Sequence, residues 1–391
     1  MPGEPPAPPL GSAPAPDPAL DRPPVRRFGL VGATGIAERA VLAPAARRDD
    51  VLVRAVAASS PERAEAFRAR HGLAVAHASY EALLADDRVD AVYVSVHNSA
   101  HARWAVAAAR AGKHVVVEKP LCLGRREAHA VLRAAADSGV HAVEAVMTAD
   151  HPWQEAVRAL LADGGLGEPR EVVTHLVFDL PPGTGYRFRP ELGGGALFDT
   201  ASYWLQALQA TVGLDGAVAS GRADFDGPGG VDTTFTARLD WPSGLAATLH
   251  AGLCGPHRAD HEYVLTAGRV RVRGVLRPAA GPFPVNVTVL PDGGPRRVLS
   301  FPAADCAAGP PAAYYDTRLA ALLRLLDSPP GDHAGTALAA RRIALMEDAY
   351  RDAYDRWTAA RLAQAGLAQA ALRQAGLAQA RWTADRSAAY R

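Results

Sequence analysis

The sequence predicts an α/β plus α+β protein. An N-terminal doubly wound parallel sheet is expected over 25–147, followed by a second domain over 148–357 built on a mostly antiparallel sheet. Three observations carry this. Between 27 and 147 short apolar runs alternate with helical patterns, the series a parallel sheet needs. The first run enters a glycine turn, Gly32-Ala33-Thr34-Gly35-Ile36-Ala37, that opens onto a helix. Beyond about Thr148 helices become few, and Gly/Pro turns separate strand-like runs. A chain of 391 residues suits two domains.

The elements follow in order. Arg27–Val31 reads as a strand, and the helix after its glycine turn runs to about Arg48. Strand, glycine turn, helix is the context of a dinucleotide-binding Rossmann fingerprint. Gly32 is its first glycine, Thr34 stands at the second position and Ala37 at the third, where alanine is tolerated. Thr34 is a departure, with Gly35 beside it to relieve the crowding. Val51–Ala57 is a second strand, and Ser60 with Pro61 caps a helix to about His71. A short helix begins at Tyr80. Val89–Val96 is a strand ending in His97-Asn98-Ser99-Ala100-His101, and a helix runs from His101 to Ala111. Val115-Val116-Val117 is a strand buried on both faces, stopped by Pro120. A helix over 125–138 and a strand over 140–147 complete the series.

In the second part Pro152–Asp163 reads as a helix and Pro169–Leu180 as a long strand. Further strands are expected at Thr233–Trp241, Leu245–Gly252, His261–Thr266, Val270–Val275 and Val285–Leu290. Gly193-Gly194-Gly195 opens onto a helix of about Asp199–Val212. Helices over 312–326 and 336–357 close the fold. Residues 1–24 are Pro/Ala-rich, without an apolar block, and read as a disordered tail rather than a secretory signal. Arg26-Arg27 precedes a strand and turn, so a twin-arginine export signal is rejected. Residues 358–391 form a low-complexity, Ala-rich helical tail in which Gln-Ala-Gly-Leu-Ala-Gln-Ala occurs at 364–370 and again at 374–380. Its leucines recur every fifth residue, which walks around a helix and makes no stripe.

Composition excludes several functions. A net charge of +1 offers no electrostatic case for nucleic acid or an anionic membrane. No apolar run approaches the roughly 20 residues that span a bilayer. Cys122, Cys254 and Cys306 lack metal-ligand spacing, so no metal is expected, and a reducing, cytoplasmic setting is.

The chemistry concentrates at Glu118-Lys119-Pro120. Of 42 Lys+Arg only Lys113 and Lys119 are lysine. A lysine can have its pKa tuned where arginine cannot, and the carboxyl end of a buried parallel strand is where open α/β sheets bind ligands. A structural ion pair ending the strand is the alternative. Asp199 and Tyr203, four apart, share one helical face. Tyr203 suits a general acid whose pKa a nearby cation lowers, and Asp199 could equally be a helix cap. His97, Asn98 and His101 at a strand end suit ligand contact. No acid stands at the end of the second strand; Ser59, Ser60 and Arg63 do, at a helix N-terminus that favours anions. That favours NADP(H) over NAD(H), with a ligand-free capped turn as the alternative. Tyr186, Arg187 and Arg189 could contact substrate or form a solvated loop.

These residues resemble the Gfo/Idh/MocA oxidoreductase family over about 27–350. The carriers are Gly32–Ala37, then Ala111-Gly112-Lys113-His114-Val115 running into Glu118-Lys119-Pro120, then Pro190-Glu191-Leu192-Gly193-Gly194-Gly195-Ala196-Leu197 with Asp199 and Tyr203. The nearest branches are the dihydrodiol/xylose dehydrogenases and the nucleotide-deoxysugar 3-ketoreductases. The resemblance implies a catalytic Lys119, proton exchange by Tyr203 at the substrate oxygen, and Asp199 orienting the site. It places Gly32, Ala33, Thr34, Gly35, Ile36, Asn98, His101 and Glu118 around the cofactor, with Lys119–Pro120 often cis. Two departures are Thr34, in place of the second glycine, and His97, where relatives often have proline; Ser59 also stands where NADP-using relatives often have arginine. The implied substrate is a small-molecule polyol, sugar or nucleotide sugar, and relatives pair as homo-oligomers through the open second sheet. A non-catalytic NADP-binding protein is the reading from another class.

Overall fold

The computed structural model describes residues 25–279, 283–302, 314–329 and 334–389, with side chains as far as 366. The tail read at 1–24 and Cys306 lie outside the described residues. In the N-terminal part six parallel strands, β1 (Arg26–Val31), β2 (Val51–Ala57), β3 (Val75–His77), β4 (Ala91–Val94), β5 (His114–Glu118) and β6 (Ala142–Ala145), form one sheet. Their order is β3-β2-β1-β4-β5-β6. The order reverses between β1 and β4, and a crevice outside the strands' carboxyl ends at that point is where such sheets bind ligands. The expected parallel sheet is therefore present, with a short β3 that the sequence pattern did not reveal.

The central strands β1, β4 and β5 are buried on both sides because alternate residues feed two cores. Val116 joins Phe28, Leu30 and Tyr93 on one face, while Val115 and Val117 join Val92 and Val94 on the other. Five helices connect these strands: α1 (35–45), α2 (Pro61–His71), α3 (Tyr80–Leu84), α4 (His101–Arg110) and α5 (Arg125–Asp137). Helix α1 contains one π turn at Glu38–Leu42. The second lysine, Lys113, is structural: its buried Nζ donates to the Asp86 carbonyl at 2.8 Å.

The second part has eight strands: β7 (Pro169–Asp179), β8 (Val218–Ala223), β9 (Thr234–Asp240), β10 (Ala246–Gly252), β11 (Cys254–Leu265), β12 (Gly268–Arg273), β13 (Val285–Pro291) and β14 (Arg297–Phe301). Their order is β14-β13-β12-β11-β7-β10-β9-β8. Only β7 and β10 run parallel; the other neighbours are antiparallel. Strand β9 alternates exposed and buried residues throughout, the mark of a sheet covered on one face. Helices α6 (Pro152–Ala162), α7 (Ala196–Thr211) and α9 (Ala334–Ala389) supply that cover through residues such as Trp153, Trp204 and Ile343. Helix α8 (Tyr314–Asp327) returns to the first sheet, where Tyr314, Leu319 and Leu323 join Ala37 and Val41 of α1.

Three differences from the sequence reading have local causes. Strand β14 is exposed at four of its five residues, so it carries no hydrophobic alternation. Strand β8 contains Gly221, where a Cβ would collide with the Ala349 carbonyl of α9; the glycine marks close backbone approach. The helix expected from Asp199 starts a turn earlier, with Gly195 at its N-cap. Helix α9 continues through the repeated segments to Ala389 as one backbone helix.

Candidate active site

The glycine turn is built as the fingerprint demands. Gly32 has φ 116°, and a Cβ there would lie 2.9 Å from the Ser95 carbonyl oxygen on the neighbouring strand end. Thr34, the apparent misfit, is the N-cap of α1. Its backbone is extended, which suits a β-branched residue, and its Oγ1 accepts from the Ala37 amide at 3.3 Å. The same hydroxyl lies 2.8 Å from Ser95 Oγ. Gly35 has open space where its Cβ would stand. Thr34, Gly35 and Ile36 line one wall of a cavity of about 640 Å³.

Lys119 lines the same cavity from the end of β5. The Lys119–Pro120 bond is cis, as the resemblance implied. Its Nζ donates to Asp199 Oδ1 and to the Asp199 carbonyl, both at 2.9 Å, and stands 5.0 Å from the Tyr203 ring centroid. Burial alone would drive the ammonium towards neutrality, but the Asp199 carboxylate outweighs it and the pKa is raised. Lys119 is thus a fixed cation. The pKa that the choice of lysine left open to tuning is tuned upward.

Asp199 is no helix cap. Its carboxylate is buried against two cations, taking Lys119 on Oδ1 and Arg187 Nε on Oδ2 at 2.8 Å. Burial pushes its pKa up, the two cations pull it further down, and the net shift is downward. Arg187, though partly exposed, is held by this ion pair rather than left free in solvent. It sits in the short turn Tyr186–Phe188, stacks 5.0 Å from the Tyr186 ring centroid, and both side chains face the cavity. Tyr203 projects one turn beyond Asp199. Lys119 does pull its pKa down, as expected, yet burial wins and the phenol is pushed up to about 12.

Glu118 also lines the cavity. It accepts from the Tyr93 hydroxyl and, at 3.2 Å, from the Lys119 amide, and burial raises its pKa. Asn98 is buried and donates to the Gly193 carbonyl at 2.9 Å, joining the first strand series to the second glycine run. His101 lies between the Pro120 carbonyl, 2.7 Å from Nδ1, and the Val96 carbonyl, 3.1 Å from Nε2; burial holds its pKa down to about 4. Both border the cavity.

Other expected site residues stand apart from this wall. His97 pairs its Nδ1 with Ser99 Oγ at 3.0 Å, and neither it nor Ala33 lines the cavity. Ser59, Ser60 and Arg63 also lie outside it; Ser60 is the N-cap of α2, accepting from the Arg63 amide at 3.4 Å. The sequence reading missed Arg39 on α1, Phe178 and Leu180 at the end of β7, His257 on β11, Leu276 and Arg277 after β12, and Tyr315 on α8. No motif marks them. The one available signal was the length of β7, whose end had to reach somewhere.

Residues 26–145 match the model of an oxidoreductase family with an NAD-binding Rossmann fold, and residues 154–274 match the C-terminal domain of the same family. The chain belongs to the Gfo/Idh/MocA oxidoreductase family. Within this family, it is 35% identical over 244 residues to a D-xylose 1-dehydrogenase (NADP(+)) of Haloferax volcanii, covering 62% of this chain and 74% of that one. It is 33% identical over 331 residues to a dTDP-3,4-didehydro-2,6-dideoxy-alpha-D-glucose 3-reductase of Streptomyces violaceoruber, covering 84% and 95%. The crystal structure of a 3-ketoreductase from Actinomadura kijaniata, in complex with NADP and TDP-benzene, superposes with TM-score 0.74 at 26% identity. That match covers 84% of this Gfo/Idh/MocA chain and 98% of the ketoreductase. Among the described residues no helix is long and apolar enough to cross a membrane, and no group of metal-ligating side chains is found.

Proposed function

We propose that the protein is an NADP(H)-dependent oxidoreductase that interconverts a sugar-like or cyclic ketone and its alcohol, with Lys119 and Tyr203 at the reacting oxygen. One observation carries the reading: a buried cation from the end of β5 and a phenol from the second domain meet in one cavity with the glycine turn. The positive-φ Gly32, the Thr34-capped helix start and the cavity between them and Lys119 fit a dinucleotide. Gly32, Thr34, Gly35 and Ile36 would hold its phosphates, and Glu118 its nicotinamide ribose. The bound nicotinamide supplies or accepts a hydride at the carbon bearing the oxygen.

In the reducing direction negative charge builds on that oxygen. The Lys119 ammonium stabilises it, and the Tyr203 hydroxyl gives it a proton. Such general acid help contributes about 10²–10⁴-fold. A phenol at about pKa 12 is fully protonated at neutral pH, which suits reduction. Asp199 keeps the ammonium charged and aims it.

The preference for NADP(H) rests on Ser59, Ser60 and Arg63 at the N-terminus of α2, where an acid would otherwise hold the ribose, and on the NADP named for two relatives. A nucleotide-deoxysugar 3-ketoreductase is the more specific form of the proposal. It is favoured by the partly exposed Arg187 beside Tyr186, a cationic and aromatic site suited to a nucleotide diphosphate. A cofactor-binding protein without turnover is disfavoured by the presence of both Lys119 and Tyr203. The face of the second sheet away from its helices is the proposed homo-oligomer contact, checked by light scattering.

Thermal shifts with NADP(H) and NAD(H) test the cofactor; a ligand at a hundred times its dissociation constant adds about 2.7 kcal/mol. NADPH oxidation with a dTDP-linked keto-deoxysugar, measured against a panel of free sugars and cyclic ketones, tests the substrate. No shift with either nucleotide overturns the proposal, and a shift without turnover of any ketone or alcohol favours the binding protein.

A further inference from the structure

The strand after β5 ends on a buried carboxylate that the chemistry above does not use. Glu144 of β6 is 5% exposed and does not line the cavity. Its Oε1 accepts two hydrogen bonds at once, from the Leu121 amide at 3.2 Å and from Ser202 Oγ at 2.7 Å. Leu121 lies two residues after Lys119, and Ser202 immediately precedes Tyr203. The other oxygen, Oε2, accepts from Arg342 of α9, with Nε at 3.2 Å and Nη2 at 2.5 Å. Arg342 also donates to Gln209, two turns beyond Ser202 on α7.

We infer that Glu144 is a positioning residue that sets the Lys119–Tyr203 geometry by tying the chain after Lys119 and the helix bearing Tyr203 to one oxygen atom. This inference rests on the assignment of Lys119 and Tyr203 proposed above. The two reacting side chains come from different domains, so their spacing depends on whatever joins the two backbones. Apart from Lys119–Asp199 itself, the Oε1 junction is a direct link between these two segments. Arg342 holds the carboxylate in place from the outer side, since a buried charge needs a partner. A simple core ion pair would need only Arg342; the two further bonds both point towards the reacting pair.

The lysine content provides a specific readout. With only Lys113 and Lys119 present, lysine labelled with ¹⁵N at Nζ gives two side-chain signals, assigned with Lys113→Arg. Ser202→Ala removes the hydroxyl arm and leaves the Glu144–Arg342 pair intact, while Glu144→Gln weakens the whole junction. Both variants should shift the Lys119 signal and leave Lys113 in place. Both should lower kcat by about tenfold or more with KM for NADPH within about twofold, since misplacements near 1 Å cost up to about a hundredfold. A folded Ser202→Ala with an unmoved Lys119 signal and wild-type kcat overturns the inference, as does a loss of thermal stability alone. Lys119→Ala and Tyr203→Phe measured alongside separate the two claims. If those two keep turnover, the site assignment fails; if they lose it while Ser202→Ala does not, only the role of Glu144 fails.

Discussion

Lys119 Nζ lies 2.9 Å from Asp199 Oδ1, a pair formed across 80 positions of sequence and across the two domains. Asp199 in turn holds Arg187, so one buried carboxylate serves two cations that both border the cavity. The arrangement fixes positive charge where a reducing reaction develops negative charge. It also makes the site costly to dismantle, because either cation lost leaves the carboxylate less well compensated.

Replacing Lys119 with methionine keeps most of the unbranched side chain and removes its charge. Turnover should fall by about a hundredfold or more, the scale for losing one preorganised donor at a developing oxyanion. Nucleotide affinity, read by fluorescence titration of NADPH, should persist. Tm should also drop, since breaking a buried ion pair costs about 3–5 kcal/mol, moderated here by Arg187.

Because burial holds Tyr203 at about pKa 12, its proton stays on throughout the working range. The rate of ketone reduction should therefore be flat between about pH 6 and 9 as far as this group is concerned. Tyr203→Phe should lower that plateau by about a hundredfold without adding a new limb to the profile. A basic limb near pH 8 that vanishes in the phenylalanine variant would contradict the raised pKa of Tyr203 while leaving its role as proton donor in place.

Arg187 separates free sugars from nucleotide sugars. Losing a hydrogen bond to a charged partner costs about 1.5–3 kcal/mol, roughly ten- to a hundredfold in binding. Arg187→Ala should raise KM for a dTDP-linked keto sugar by that factor and shift KM for a free sugar far less. Equal effects on both would place Arg187 at Asp199 alone.

Asp232 gives a stability prediction with a defined sign. It lies between β8 and β9 and caps α7 from outside, its Oδ2 accepting from the Leu197 amide at 2.9 Å, while Oδ1 is buried without a hydrogen-bond partner. A Cβ on Gly195 would strike that oxygen. Burial raises the Asp232 pKa to about 7 from 3.8. The folded state thus holds this proton more tightly than the unfolded chain does. Its ionisation costs stability progressively from about pH 4 up to 7, and the cost then levels off. Asp232→Asn keeps the acceptor for Leu197 and removes the charge. Its Tm should exceed wild type at pH 8, with the difference shrinking towards pH 4.

Gly32→Ala tests the glycine turn. The positive φ and the Ser95 carbonyl 2.9 Å away both oppose a side chain. The variant should lose about 1–3 kcal/mol of stability in denaturant melts and bind NADPH more weakly. Thr34→Ala should lose about 1 kcal/mol through the missing cap.

The sequence by itself determined the parallel sheet, the glycine turn and the identity of Lys119, Asp199 and Tyr203. These rest on local signals. Apolar runs of three to seven residues specify buried strands, Gly32 specifies a backbone angle, and a four-residue spacing puts Asp199 and Tyr203 on one face. The tertiary structure decided what those groups do to one another. Asp199 could have been a cap and Arg187 a loop residue until the fold brought Lys119 and Arg187 to the two oxygens of the Asp199 carboxylate, because electrostatic partners are set by distance in space. The state of Tyr203 depended on burial outweighing a neighbouring cation, a balance that spacing along the chain does not contain. The same holds for Thr34, whose hydroxyl became a cap only when α1 began there. It holds too for Glu144, whose partners Leu121, Ser202 and Arg342 come from three separate parts of the chain and meet only in the packed core.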